Sequence, residues 1–117
     1  MLDPNVKKIA QILVDIRDAA INSCDVQLHT ENLQSPVAKR WHSAKSSGNI
    51  EKMAQMIIAD AVDTTIFFLL QSIDEDTLRL TVEIDGEEVK LNEVNRGELG
   101  GWYMGEWRDE LSKERFF

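Results

Sequence analysis

The stretch 50–72 is the longest periodic segment of the chain, and it dictates much of what must surround it. Ile50, Met53, Ala54, Ile57, Ala61, Thr64 and Phe68 fall on one helical face. Met56, Val62, Ile66, Phe67, Leu69, Leu70 and Ile73 carry the apolar surface around the circumference. A helix that is apolar nearly all round is touched on several sides and sits centrally. Thr64-Thr65-Ile66-Phe67-Phe68 has strand propensity, but good helix formers lead into it and no turn residue intervenes before Asp74. A helix about 35 Å long is therefore expected, a spine for the domain. Phe67, Phe68, Leu69 and Leu70 point around the whole axis at roughly 100° per residue. Covering every direction from 117 residues is demanding, and a homodimer is the expected relief.

A second constraint is local. Leu78, Leu80, Val82 and Ile84 alternate with Arg79, Thr81 and Glu83, and Val89 and Leu91 alternate with Glu88 and Lys90. Asp85-Gly86 between the two runs is a two-residue hairpin signal, because both turn positions need positive φ. Closing the turn there pairs Val82 with Val89 and Leu80 with Leu91 on the face that meets the helices. Glu83 then faces Glu88 on the other side, a like-charge pair tolerable only in water. A two-stranded ribbon is marginal alone, so a third strand around Trp102–Met104 or helix packing is expected to complete it.

The opening segment reads as a helix over 4–22. Asp3 is placed to cap it, Pro4 fits the first helical position, and Val6, Ile9, Leu13, Ile16 and Ala20 form one stripe. Asn22-Ser23 marks its stop. Over 24–34 the pattern weakens, and Val26, Leu28 and Leu33 are compatible with strand, helical turn or loop. Ser35-Pro36 repeats the cap-plus-proline signal and opens a short helix at 36–46, which Ser47-Gly48-Asn49 ends. Helices first and strands later is the segregated order of an α+β protein. The expected architecture is one domain over 1–117, with N-terminal helices packed against a small C-terminal antiparallel hairpin.

Composition adds limits on function. With 43% hydrophobic and 29% charged residues the chain has ordinary globular content, which excludes disordered and collagen-like classes. One cysteine, Cys24, makes neither an internal disulfide nor a cysteine zinc site. No signal peptide is expected at the N-terminus, and no lipidation signal at either end. The nearly uncharged run 64–70 is shorter than the ~20 residues a bilayer needs. A soluble cytoplasmic protein without a membrane partner is the expectation.

Charge is unevenly spread. Residues 1–50 carry a net charge of +1 and residues 51–117 a net charge of −9. Within the second half, Asp74, Glu75, Asp76, Glu83, Asp85, Glu87, Glu88, Glu93 and Glu98 stand against Arg79, Lys90 and Arg96. Such a field repels phosphate backbones, which disfavours nucleic acid, and draws a basic protein. The end of the chain gathers Trp102, Tyr103, Trp107, Phe116 and Phe117 among Gly97, Gly100, Gly101 and Gly105. Aromatics of this kind anchor interfaces, or else cap the open end of a core. A helix over 106–115 would turn Trp107 and Leu111 inward. The expected partner-binding residues are Asp74, Glu75, Asp76, Glu83, Glu87, Glu88, Trp102, Tyr103 and Trp107.

Catalytic constellations are thin. His29 and His42 have no helical ligand spacing, and Cys24 with either is a weak nucleophile–base pair. Asp60 and Asp63, three apart on an apolar helix, are costly unless paired or hydrated. They could serve a small metal-dependent hydrolase, which is the alternative reading. No phosphate-binding glycine loop, calcium loop or acyl-transfer serine motif is present. No cofactor and no metal is expected. No motif ties the chain to a known family. Its size, acidity and want of a catalytic set are compatible with many small proteins, among them immunity and antitoxin proteins that neutralise basic nucleases, a likeness of character that assigns no residue.

Overall fold

Residues 4–29, 34–94 and 97–113 are described in a computed structural model. Asp3, Leu33, Arg96, Phe116 and Phe117 lie outside these residues, as does the side chain of Val6. The order is α1 (Pro4–His29), α2 (Pro36–Ser46), α3 (Ile50–Asp74), β1 (Thr81–Ile84), β2 (Glu87–Lys90), α4 (Leu91–Val94) and α5 (Leu99–Trp102). A π-helical turn (Tyr103–Trp107) and α6 (Arg108–Leu111) follow. This is an α+β fold, with helices leading and one antiparallel pair of strands behind them.

α2 and α3 begin where their caps stand. Ser35 Oγ accepts from the Ala38 amide at 3.3 Å, with Pro36 in the first turn of α2. Asn49 Oδ1 accepts from the Lys52 amide at 3.0 Å at the head of α3. These bonds satisfy amides that the first turn leaves without partners. α1 runs past the expected stop at Asn22-Ser23 and continues to His29. The physical reason is burial. Cys24 and Leu28 pack against Trp41, Ala44 and Met56, and that contact outweighs the weak local preference of 22–23.

Two apolar clusters lie at opposite ends of α3. Trp41, Ala44 and Met56 form one, with Cys24, Leu28, Val37, Met53 and Ile57 around them. Ile16, Ile73, Leu78 and Leu99 form the other, joined by Ile12, Phe68, Leu69, Leu70, Leu80, Leu91, Trp102 and Trp107. Early α1 thus meets late α3 and late α1 meets early α3, so the two long helices run antiparallel. The expected spine is present, but it is not fully wrapped. Ile58 is 65% exposed and Val62 54%. By length and composition alone α3 is also long and apolar enough to cross a membrane, as the core helix of a soluble protein can be.

The hairpin has the expected register: Val82 pairs with Val89, Glu83 with Glu88 and Ile84 with Glu87. The Leu91 amide donates to the Leu80 carbonyl at 2.9 Å, extending the ladder by a step. Asp85 and Gly86 have φ of 52° and 83°, the two positive values a type I′ turn requires. Leu80 and Leu91 reach the core cluster, whereas Ile84 at the tip is 55% exposed. The sheet stays two-stranded among the described residues. Trp102–Met104 is helical rather than a third strand, because its neighbours Leu99 and Gly100 are tied to the end of α3 through Asp74. Leu111 is 75% exposed rather than inward; the core cluster reaches Trp107 and not the residue one turn beyond.

Gly100 is buried, and a Cβ there would stand 3.0 Å from Phe67 Cε1. Gly101, the next residue of the same helix, has open space around it. Gly100→Ala is expected to lower stability by about 1 kcal/mol through overpacking. Gly101→Ala should raise it by up to about 1 kcal/mol through helix propensity. Urea unfolding of the two variants beside the parent checks the opposite signs.

Candidate functional site

Asp60 and Asp63 occupy the waist of α3, between the two apolar clusters, and both are buried. Their side chains serve different neighbours. Asp60 faces α2: Arg40 Nη2 donates to Oδ1 at 2.9 Å and to Oδ2 at 2.8 Å, and Trp41 Nε1 donates to Oδ2 at 2.7 Å. Asp63 faces the C-terminal segment: the Tyr103 hydroxyl donates to Oδ1 at 2.8 Å and Arg108 Nη1 to Oδ2 at 3.0 Å. Each carboxylate has one cation and one neutral donor, and all four oxygens are engaged. Buried acids are tolerated on such terms.

Tyr103 and Arg108 are five residues apart, about 140° around an α-helix, too far to reach one carboxylate. The π-helical turn between them solves this. The Arg108 amide donates to the Tyr103 carbonyl, so five residues close nearly one wider turn. The same turn aligns Trp102 with Trp107, whose rings lie 5.8 Å apart on the core. Trp102 and Trp107 therefore brace the fold more than they present an exposed anchor, and Tyr103 is committed to Asp63.

The acidic candidates divide likewise. Asp74 is half-buried, and its carboxylate accepts from the amides of Leu99 and Gly100, both at 3.0 Å. It holds the start of α5. Glu75 is exposed and accepts from Gln71 Nε2 at 3.2 Å. Asp76, with φ of 60°, ends the helix and lies 3.7 Å from Arg79. Glu83 and Glu88 stand opposite each other in the sheet and Glu87 lies across from Ile84, all exposed. Glu75, Asp76, Glu83, Glu87 and Glu88 are thus the expected site residues offered to solvent.

The histidines and the cysteine do not converge on the carboxylates. His29 Nδ1 bonds the Asp25 carbonyl at 2.9 Å and His42 Nε2 the Gln27 carbonyl at 3.1 Å. Burial pushes the Cys24 thiol up, against a lowering by its hydrogen bond with Thr64, and Asp25 and Asp60 raise it further. That is the reverse of what an activated thiolate needs. Among the described residues no group of three or more His, Cys, Asp or Glu is arranged to hold a metal ion.

Reading the residues in order missed Arg40, Trp41 and Arg108. One signal was available: Trp102-Tyr103 is followed five residues later by a second tryptophan-led pair, Trp107-Arg108. Doublets at that spacing cannot share a face in an α-helix, so a common role requires a wider turn.

Tyr103 is the only tyrosine, so phenolate absorbance reports it alone. Burial, then the hydrogen bond and charge of Asp63, push its pKa up to about 12, against a smaller lowering by Arg108. The folded state therefore holds this proton more tightly than the unfolded chain. Stability owed to it is full below about pH 10 and is lost as pH rises toward 12. Spectrophotometric titration should find the folded phenol near 12 and the urea-unfolded one near 10, with Asp63→Asn narrowing the gap. Separately, Asp60→Ala strands Arg40 and the Trp41 indole, and is expected to cost about 3–5 kcal/mol. Asp60→Asn keeps an acceptor for Trp41 and should cost less; denaturant unfolding followed by tryptophan fluorescence ranks the two. No family model matches the chain, and neither does a curated protein or a solved structure.

Proposed function

We propose that the chain is a soluble, cytoplasmic, non-catalytic interaction module that docks a basic protein through its acidic end. The end comprises the turn after α3, the hairpin, α4 and the residue before α5. Glu75, Asp76, Glu83, Asp85, Glu87, Glu88, Glu93 and Glu98 are all exposed there. Arg79 and Lys90 offset them weakly, in ion pairs of 3.7 and 4.0 Å at the surface.

The observation that carries the reading is the cross-strand pair Glu83–Glu88. Two like charges directly opposite each other destabilise a hairpin, and a short ribbon has little stability to spare. A sequence shaped for folding alone gains by placing a lysine at either position. Two glutamates at these positions suit a surface that serves a cationic partner, steering its approach and fixing its register. Neutralising a basic enzyme, as immunity-type proteins do, is the form of docking that best suits such a surface. The hydrolase alternative gains no support from the waist of α3, where both carboxylates are already satisfied by protein donors.

Glu88→Lys separates binding from folding. It should stabilise the hairpin by about 0.2–1 kcal/mol while weakening the partner complex. Affinity capture from cell extract with the parent, repeated with Glu83→Lys and Glu88→Lys chains, reads the second effect. A protein that the parent retains at low salt and releases at high salt, and that both variants fail to retain, is the expected result. Equal retention by parent and variants, or salt-insensitive retention, overturns the proposal.

A further inference from the structure

We infer that the outer face of α3 is the seam of a homodimer, formed with a second copy of the chain in antiparallel two-fold contact. Ile58, Val62, Thr65 and Leu69 follow one another at spacings of four, three and four, the pattern of a coiled-coil seam. The first three are exposed, and Leu69, which also packs against the core cluster around Ile73, is half-buried. Between Lys52 and Asp74 the helix carries only two charges, Asp60 and Asp63, and both face the other way, into α2 and the C-terminal segment. The stripe is consequently free of charge for about 17 Å. Between Met56 and Ile73, Ile58, Val62 and Thr65 are the exposed residues of α3, and the rest of that span is buried or half-buried.

The chain as a whole exposes more surface than a compact monomer of its mass. The chain exposes 8556 Å², whereas a compact monomer of 13.4 kDa exposes roughly 6500 Å². Its radius of gyration is 16.7 Å, against roughly 13 Å for a compact chain of this length. The excess of roughly 2000 Å² is spread over the whole chain, the exposed apolar residues of α1 included, and leaves room for the ~800 Å² that each partner contributes to a standard interface. A second copy supplies a matching apolar stripe at no further requirement, since a two-fold makes one patch cover itself.

The ends of the helix choose the direction. A parallel pair would stack Asp74-Glu75-Asp76 on its own copy. An antiparallel pair sets that acidic end beside the Glu51-Lys52 end of its mate and opposes the two helix dipoles. A bilayer is the less fitting cover. In a spanning pose α1 and α2, which pack on α3 with Asp15, Arg17, Asp18, Lys39 and Lys45 exposed, would be carried into hydrocarbon. A surface-lying pose is disfavoured too, since a net charge of −8 repels anionic headgroups.

Sedimentation equilibrium of the full chain over a wide concentration range tests the proposal. The expected mass is twice 13.4 kDa, falling to the single-chain mass in the Ile58→Glu/Val62→Glu variant with its helical circular dichroism intact. Nitroxide labels on Val62→Cys and Ile50→Cys chains, each in a Cys24→Ala background, read the direction. Labels at 62 should lie close across the axis and labels at 50 roughly 40 Å apart. A parent that stays at 13.4 kDa at every concentration overturns the dimer, as does a dimer that survives both glutamates. Short distances at both positions overturn the antiparallel arrangement. A monomeric parent that sediments with phosphatidylcholine vesicles assigns the face to a bilayer instead.

Discussion

Two carboxylates on one apolar helix govern how the rest of this chain is arranged. Asp60 and Asp63 lie three apart at the waist of α3, and neither can be buried alone without a penalty of several kcal/mol. Each therefore recruits a cation and a neutral donor. α2 is brought to one side by Arg40 and Trp41, and the C-terminal segment to another by Tyr103 and Arg108. The apolar clusters at the two ends of α3 supply the bulk of burial but little direction. Greasy surfaces tolerate many packings, while bidentate and hydrogen-bonded pairs tolerate few.

The π-helical turn is a consequence of the same demand. A regular helix over 99–111 could present Tyr103 or Arg108 to Asp63, but not both. The wider turn lets the pair converge, and it also stacks Trp102 and Trp107 against the core. Asp74 holds the start of that segment through the amides of Leu99 and Gly100. An acid read as surface charge thus positions the one stretch whose secondary structure departs furthest from expectation.

Once these ties are made, two of the surfaces left exposed among the described residues stand out. One is the acidic end, where Glu83 and Glu88 are held opposite each other at some cost to the hairpin. The other is the uncharged outer stripe of α3. They lie on different elements and differ in chemistry, one steering through charge and the other demanding cover through apolar area. A basic partner at the first and a second copy at the second do not compete.

The local features of the fold were legible in the order of residues. α2 and the heads of α2 and α3 follow from Ser35-Pro36 and Asn49, and the hairpin register follows from Asp85-Gly86. Each depends on neighbours a few residues away, through a cap bond or a φ value. The continuation of α1 to His29 was not legible, because Cys24 and Leu28 become helical by packing on Trp41, a residue on another helix. Nor were the roles of Asp60 and Asp63, whose partners stand nineteen to forty-five residues away along the chain. The sequence by itself determined the α+β class, the spine and the turn, since backbone geometry and hydrophobic period are short-range properties. Only the tertiary structure decided which acids are structural and which face solvent. A carboxylate's role depends on the donors that burial brings to it, and linear spacing does not encode those.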